Sequence, residues 1–325
     1  MAQTIKMARL KILLTGVAGF ISSHIADALV NSDLIEVVGV DNLSTGRLEN
    51  IEHIKDKMDL KIWDLRDRTC CDELCKGVDV ICHQAALPSV PRSIAAPEAT
   101  NANNVTATVN LLKAAIDNGV KRFVMASSSS VYGDTPTLPK VETMALNPKS
   151  PYAASKLACE YYLRAFSSSY GIECLSLRYF NVISSRQRAD SSYAGVMPKF
   201  MTAAITGGVI EVYGDGEQSR DFCPVKNVVQ ANLSAVFSKN KFSGEAVNIA
   251  CSKRTTVNEL IDMISDVSGK SLKPVYKSER PGDVKHSLAD ITLARKLLGY
   301  EPLYNLIDVI PECFEYYKKE TTKLK

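Results

Sequence analysis

What the chain lacks narrows the field first. Its 325 residues contain no apolar stretch near the ~20 residues that a membrane-spanning helix needs, so no membrane association is expected. Basic and acidic residues nearly balance, 39 against 36, for a net charge of +3. No basic block or Lys/Arg stripe with interleaved aromatics appears, which leaves nucleic-acid binding without support. The Lys-rich stretch YYKKETTKLK reads as a solvated terminus. Nine cysteines follow no framework spacing. Cys70, Cys71 and Cys75 cluster, but without CxxC spacing or a second half-site, so zinc is not expected; reduced thiols in a cytoplasmic protein fit better. The four histidines (His24, His53, His83 and His286) show no metal spacing and are assigned no chemistry. Internal repeats, low-complexity segments and Pro-rich linkers are absent. The opening MAQTIKMARLKILLTG is basic and then briefly apolar, but the apolar run stops at Leu14 in a Gly-rich turn, as a buried strand does and a secretory leader does not.

What is present is an ordinary globular composition, 46% hydrophobic and 23% charged, in a length that suits about two domains. Short apolar runs at 10–15, 35–40, 60–63, 78–83 and 122–127 read as buried strands. Amphipathic stretches such as 22–30 and 104–119 separate them. A helix over about 153–169 leads to a further strand at 174–180. Strands alternating with helices predict right-handed βαβ units. The fold class is therefore α/β, a Rossmann-like doubly wound parallel sheet with a smaller C-terminal α/β substrate domain. Residues 1–182 would form the nucleotide domain, also receiving elements from about 222–251, and 183–325 the substrate domain.

The first strand runs into Thr15-Gly16-Val17-Ala18-Gly19-Phe20-Ile21-Ser22, and a helix begins at once. Gly16 makes the tight turn, Gly19 lets backbone approach a pyrophosphate, and the helix N-terminus attracts its charge. The second strand ends in Asp41, a carboxylate placed to accept from ribose hydroxyls and to repel a 2′-phosphate, which favours NAD over NADP. Asp64-Leu65, after the third strand, reads equally well as an adenine-edge contact or as a surface loop. Ser22 stands where a third glycine would allow close helix–strand packing, so a slight displacement is expected there.

Tyr152-Ala153-Ala154-Ser155-Lys156 puts Tyr and Lys four apart on one helical face. A nearby ammonium lowers a phenol pKa that is otherwise near 10 and too high for base catalysis at neutral pH. Upstream, Ser127-Ser128-Ser129-Ser130 closes a strand and offers a hydroxyl beside that tyrosine.

These motifs, with DNLSTGR, HQAALPSVPRS, NNVTATVNLL, LRYFNV, GDGEQSRDF, ERPGDVKHSLAD and ARKLLGY, resemble an extended short-chain dehydrogenase/reductase of the NAD-dependent nucleotide-sugar epimerase/dehydratase family over about residues 9–310. HQAALPSVPRSI, SRQ followed by YAGVMPKF, and SRDF resemble its UDP-N-acetylglucosamine 4-epimerase branch. The resemblance implies NAD as a tightly held cofactor, UDP-sugars as substrates and a homodimer, its helices at about 104–118 and 153–169 either packing against their mates or facing only their own sheet. It implies catalytic roles for Tyr152 (proton at the sugar 4-hydroxyl), Ser128 (relay at the same oxygen) and Lys156 (tyrosine pKa and nicotinamide ribose). Cofactor contacts carried over by motif are Gly16, Gly19, Phe20 and Ile21 in the first turn, and Asp41, Asn42, Ser44, Thr45 and Gly46 after the second strand. Asp64, Leu65, Gln84, Ala85, Ala86, Asn104, Tyr179 and Val182 complete them. Substrate contacts carried over are Ser89, Val90, Asn181, Gln187, Gly195, Val196, Glu211 and Tyr213, with Arg220 and Arg280 on the diphosphate and Asp283 on a ribose hydroxyl.

Within the family, dehydratases resemble each other in an Asp-Glu pair after the catalytic Ser or Thr. Ser129-Ser130 stands there, which favours epimerisation. Ser287, seven residues after Arg280, occupies the position that gates the sugar pocket, and a small residue there admits an acetamido group. Pro88 replaces a usual Gly, and Ile183-Ser184-Ser185-Arg186-Gln187 replaces an expected aromatic-Gly pair. The resulting expectation is 4-epimerisation of UDP-N-acetylglucosamine and UDP-N-acetylgalactosamine, extending to UDP-glucose. The rival enzyme is a UDP-glucuronate or UDP-N-acetylglucosaminuronate 4-epimerase that uses Arg92 near the sugar C6. Rivals of another class are a net NAD-dependent oxidoreductase and a non-catalytic sensor.

Overall fold

The computed structural model describes residues 9–188, 195–279 and 285–323. Seven strands, β1 (Leu10–Thr15), β2 (Ile35–Val40), β3 (Asp59–Lys61), β4 (Val80–His83), β5 (Arg122–Ser128), β6 (Glu173–Tyr179) and β7 (Ser243–Ile249), form one sheet in the order β7-β6-β5-β4-β1-β2-β3. Every ladder in it is parallel. Such a sheet is covered on both faces, so its strands are near-continuous apolar runs. Neighbours along β1 divide between the faces: Ile12 and Leu14 join one core with Ile25, Val124 and Val247, whereas Leu13 joins the other with Ile81, Leu111, Phe123 and Leu163. β3 is shorter than its apolar run suggests, because Ile62 and Trp63 leave the ladder at the sheet edge.

The first face is covered by α1 (Phe20–Leu29), the second by α2 (Ala107–Asp117) and α3 (Pro151–Tyr170). The boundaries of α3 are written in its ends. Ser150 accepts from the Ala153 N–H (3.2 Å), Pro151 takes the first turn, and Gly171 closes the helix at φ 76°. α2 is entered through a π-helical turn, Ala102–Thr106, that periodicity does not reveal. A third core joins α4 (Val196–Thr206), α6 (Val257–Ser268) and α7 (Leu306–Lys323) through Met201, Phe200, Leu260, Ile264 and Ile310. Between them in sequence, α5 (Val225–Val236) returns to the first face of the sheet beside α1, and β7 extends the sheet beyond β6.

The strand order reverses between β1 and β4. In open α/β sheets the crevice at the carboxyl ends of strands beside such a switch point receives ligands. Thr15, Asp41, His83 and Ser128 all lie at such ends. No helix among the described residues is long and apolar enough to cross a membrane.

Candidate active site

A cleft opens at the switch point. Its walls include Gly16, Gly19, Phe20, Ile21 and Ser22 from the first turn, Asp41, Asn42, Ser44 and Thr45 after β2, and Trp63, Asp64 and Leu65 after β3. Gln84–Pro88, Tyr152, Lys156 and Tyr179 complete it on the far side. Gly16 holds φ 65°, and a Cβ there would stand 2.9 Å from the Ala85 Cα. No side chain caps α1 at Gly19, which leaves its first-turn N–H groups to an anion. Ser22, in the third glycine position, is buried and donates to the Thr15 carbonyl (3.0 Å), so the hydroxyl ties helix to strand. Asp41 accepts from the N–H groups of Ala18 (3.0 Å) and Leu43 (2.7 Å), one per oxygen, and keeps a lone pair on each. Burial raises its pKa, and those two bonds oppose the rise. Asp64 is gripped by the Arg66 fork, which holds its carboxyl down at about 2.

Three of the residues carried over as cofactor contacts do not line this cleft. Gly46 instead makes room for Asp41, since a Cβ there would meet the carboxylate at 2.8 Å. Val182 sits in the short ladder Val182–Ile183 with Cys223–Pro224. Asn104 is buried. Its Oδ1 accepts from the Leu87 N–H (2.8 Å), and its Nδ2 donates to the Leu87 carbonyl (3.3 Å) and the Ser155 hydroxyl (2.9 Å). All its amide atoms are spent on holding the Leu87 turn to α3, so it positions the cleft wall.

His83 was given no role by spacing, yet it organises the same wall. The Thr15 hydroxyl accepts from the Gln84 and Ala85 N–H groups and therefore donates to His83 Nδ1 (2.8 Å). Nε2–H then donates to Thr108 (3.0 Å), whose hydroxyl donates to the Asn104 carbonyl. Burial first, and the charge of Lys156 second, push the His83 pKa down to about 3, so the ring stays neutral. The signal was available only as a polar residue closing an apolar strand.

Tyr152 and Lys156 face the cleft one helical turn apart, beside Ser127. Ser128 accepts from both the N–H (3.2 Å) and the hydroxyl (2.9 Å) of Ser130, which leaves its own proton for Tyr152. Burial raises the Tyr152 pKa, and the Ser128 bond opposes. Sequence reasoning expects the depression to come from Lys156, but the bond that lowers the Tyr152 pKa is that of Ser128, and the Lys156 ammonium donates to the Ala126 carbonyl (2.9 Å). Burial in turn lowers the Lys156 pKa, against the charges of Cys159 and Glu160.

Residues carried over as substrate contacts do not share one cavity. Val196, Glu211, Tyr213 and Arg220 line a second cavity with Phe200, Gln218 and Phe222, which motif reading missed. There Arg220 donates to the carbonyls of Ser219 and Lys285 (both 3.1 Å). Asn181 and Ser287 meet each other, the Asn181 amide donating to the Ser287 hydroxyl (3.2 Å). Gln187 lies against Gly195, its carbonyl accepting from Tyr317 (2.8 Å), and lines neither cavity. Ser89 caps the helix Val90–Ala95 at φ 102°. Arg280 and Asp283 lie outside the described residues. Among the described residues no group of His, Cys, Asp and Glu is placed to hold a metal. Cys71 and Cys75 are buried, and burial pushes both thiols up to about 12.

A serine, tyrosine and lysine seated beside a dinucleotide crevice are the working set of a short-chain dehydrogenase/reductase, and comparison with known proteins narrows that class. The chain belongs to the NAD dependent epimerase/dehydratase family, whose model matches residues 12–250. It is 37% identical over 309 residues to a putative UDP-glucose 4-epimerase of Methanocaldococcus jannaschii, covering 94% of this chain and 98% of that one. Its structure matches a UDP-N-acetylglucosamine 4-epimerase from Methanobrevibacter ruminantium, solved in complex with UDP-N-acetylmuramic acid. The TM-score is 0.91 and the identity 39%, covering 97% of this chain and 100% of that one. It also matches a UDP-glucuronic acid 4-epimerase from Bacillus cereus, solved with UDP-glucuronic acid and NAD, at TM-score 0.89 and 30% identity, covering 96% and 100%. NAD is the cofactor of the family, and this cleft fits it. The glycine turn is a cradle that a Cβ would fill, the uncapped N–H groups suit a diphosphate, and Asp41 has acceptors left for ribose hydroxyls.

Proposed function

We propose that this chain interconverts UDP-N-acetylglucosamine and UDP-N-acetylgalactosamine by inverting the sugar at C4, with UDP-glucose as a second substrate. The 4-epimerase reading rests on the family and on the Ser130–Ser128–Tyr152 hydroxyl relay, which has Ser129 and Ser130 where elimination of water would call for acid–base side chains. The observation that carries the acetylated sugar is Ser287, a small side chain held by Asn181 at the position that gates the sugar pocket in this family.

Gly16, Gly19 and the start of α1 would hold the NAD diphosphate, and Asp41 a ribose; when bound, NAD supplies the acceptor and donor of hydride at C4. Tyr152 takes the proton of the 4-hydroxyl and later returns it to the same oxygen. Ser128 donates to that oxygen and keeps the proton path continuous. Lys156, one helical turn from Tyr152, would hold the nicotinamide ribose and place a positive charge on the same face as the phenolate that forms. Arg220 grips the diphosphate through its fork while the sugar end stays loosely held, as inversion requires both faces of C4 to be presented in turn. The nine free cysteines suit a reducing cytoplasm. Exposed Ile94, Tyr161 and Tyr162, on and beside α3, suit a homodimer interface.

The test offers UDP-N-acetylglucosamine, UDP-glucose and UDP-glucuronate separately to the purified protein without added reductant. An equilibrium mixture of the acetylated epimers supports the reading. Activity on the plain hexose alone keeps the mechanism and removes the gate argument. Turnover of the uronate alone points to Arg92, and net reduction of NAD without an epimer rejects the isomerase. Tyr152→Phe should cut turnover by about 10²-fold or more.

A further inference from the structure

One buried charge pair at the catalytic centre has no place in the chemistry above. Tyr152, Lys156 and Glu160 occupy successive turns of one face of α3. Glu160 is buried and takes the Arg178 fork on both oxygens, at 2.9 Å from Nε and 2.7 Å from Nη2. It also accepts from the Ser127 hydroxyl at 2.5 Å. Ser127 precedes Ser128 on β5, and Arg178 precedes Tyr179 on β6, so three elements that carry cleft residues meet at one carboxylate. Arg178 continues the connection. Its Nη1 donates to the Tyr132 hydroxyl (2.8 Å), its guanidinium stacks on the Tyr132 ring at 4.9 Å, and Tyr132 donates to Asn248 of β7 (2.7 Å).

We propose that the Glu160–Arg178 pair is a positioning strut, which sets Ser128 against Tyr152 and Lys156 and thereby governs the chemical step without touching substrate. A buried ion pair is a poor source of net stability, since desolvation offsets attraction. A charge retained there needs another reason, and the directional bond to Ser127 supplies one: no apolar pair of equal volume reproduces it. Reaction geometry is far more sensitive than folding to displacements of an ångström.

The proposal rests on the reading of Ser128, Tyr152 and Lys156 as the reacting set, and the test separates the two. Ser127→Ala, Glu160→Gln and the double variant Glu160→Met/Arg178→Leu are compared with wild type in melting temperature, kcat and KM, on whichever UDP-sugar wild type turns over. Glu160→Gln should lose stability, because it leaves a buried guanidinium without its counter-charge. The double variant should regain that stability while kcat stays roughly tenfold or more below wild type and KM stays within about twofold. Ser127→Ala should melt as wild type does and lose kcat alone, and it decides the question if the charge variants fail to fold. Recovery of kcat together with melting temperature in the double variant, or wild-type kcat in Ser127→Ala, overturns the strut. A wild type that epimerises no UDP-sugar, or full activity in Tyr152→Phe, removes the catalytic reading and the strut with it.

Discussion

Replacing Ser287 by tyrosine puts a ring where a hydroxymethyl group now accepts from Asn181. Ser287→Tyr should lose about tenfold or more of its turnover on the acetylated pair and keep the plain hexose pair, because a pocket rejects an oversized group more strongly than it rewards a good fit. Equal losses on both sugars in the epimer assay would show that position 287 does not gate. Gly16 is tested by binding alone. Gly16→Ala forces a side chain into the left-handed region and toward the Ala85 backbone. Trp63, the one tryptophan of the chain, lines the cleft and reports on it. Once any bound cofactor has been stripped from both proteins, added NAD should change its fluorescence in wild type and fail to do so in Gly16→Ala at the same concentrations. The motif made Gly16, Asp41, Tyr152 and Lys156 legible because chain-local geometry defines them: a turn, a strand end, a helical spacing. The hydrogen-bonding places of His83 and Asn104 are not legible in the sequence, because their partners, Thr15, Thr108, Leu87 and Ser155, come from separate elements.

Elements were read well wherever burial on both faces imposed a continuous apolar run, and β1 and β2 fall on 10–15 and 35–40 as expected. Breaks inside elements escaped. The pairing of β7 with β6 shifts register between Ser243 and Glu245. Gly244 sits in that bulge at φ 90°, where a Cβ would lie 2.5 Å from the Arg164 Cα of α3. Gly244→Ala is therefore expected to cost about 3 kcal/mol, from left-handed strain and backbone collision together, read as a lower urea midpoint with an unchanged slope. The π-helical turn before α2 escaped for the same reason: one extra residue in a turn leaves the apolar pattern almost intact.

Over the whole molecule, buried groups set the response to acid. His83 has a folded pKa of about 3 against 6.5 in the unfolded chain. The unfolded state therefore binds the extra proton as pH falls below 6.5, and stability falls with it, by about 2 kcal/mol from this residue between pH 7 and 5. Asp221, raised by burial to about 6, acts with the opposite sign: its folded state holds the proton more tightly, so it loses stability as pH rises from 3.8 through 6. Comparing His83→Gln with wild type isolates the first contribution. The variant should be less stable at pH 7 but lose less of its urea resistance on going to pH 5. An equal loss in both would mean that His83 titrates normally in the folded protein.

The sequence by itself determined the doubly wound sheet, the glycine turn, the acidic end of the second strand and the Tyr–Lys pair. Each follows from periodicity, φ preference or spacing within about 30 residues of chain, the size of one βαβ unit. Only the tertiary structure decided what surrounds them. It showed that burial dominates the Tyr152 pKa, that Ser130 orients Ser128, that Asn104 holds a turn, and that Glu160 joins α3 to β5 and β6. Those facts depend on which donors and acceptors are excluded from water together. Exclusion is a property of packed elements far apart in the chain, and no local pattern of residues encodes it.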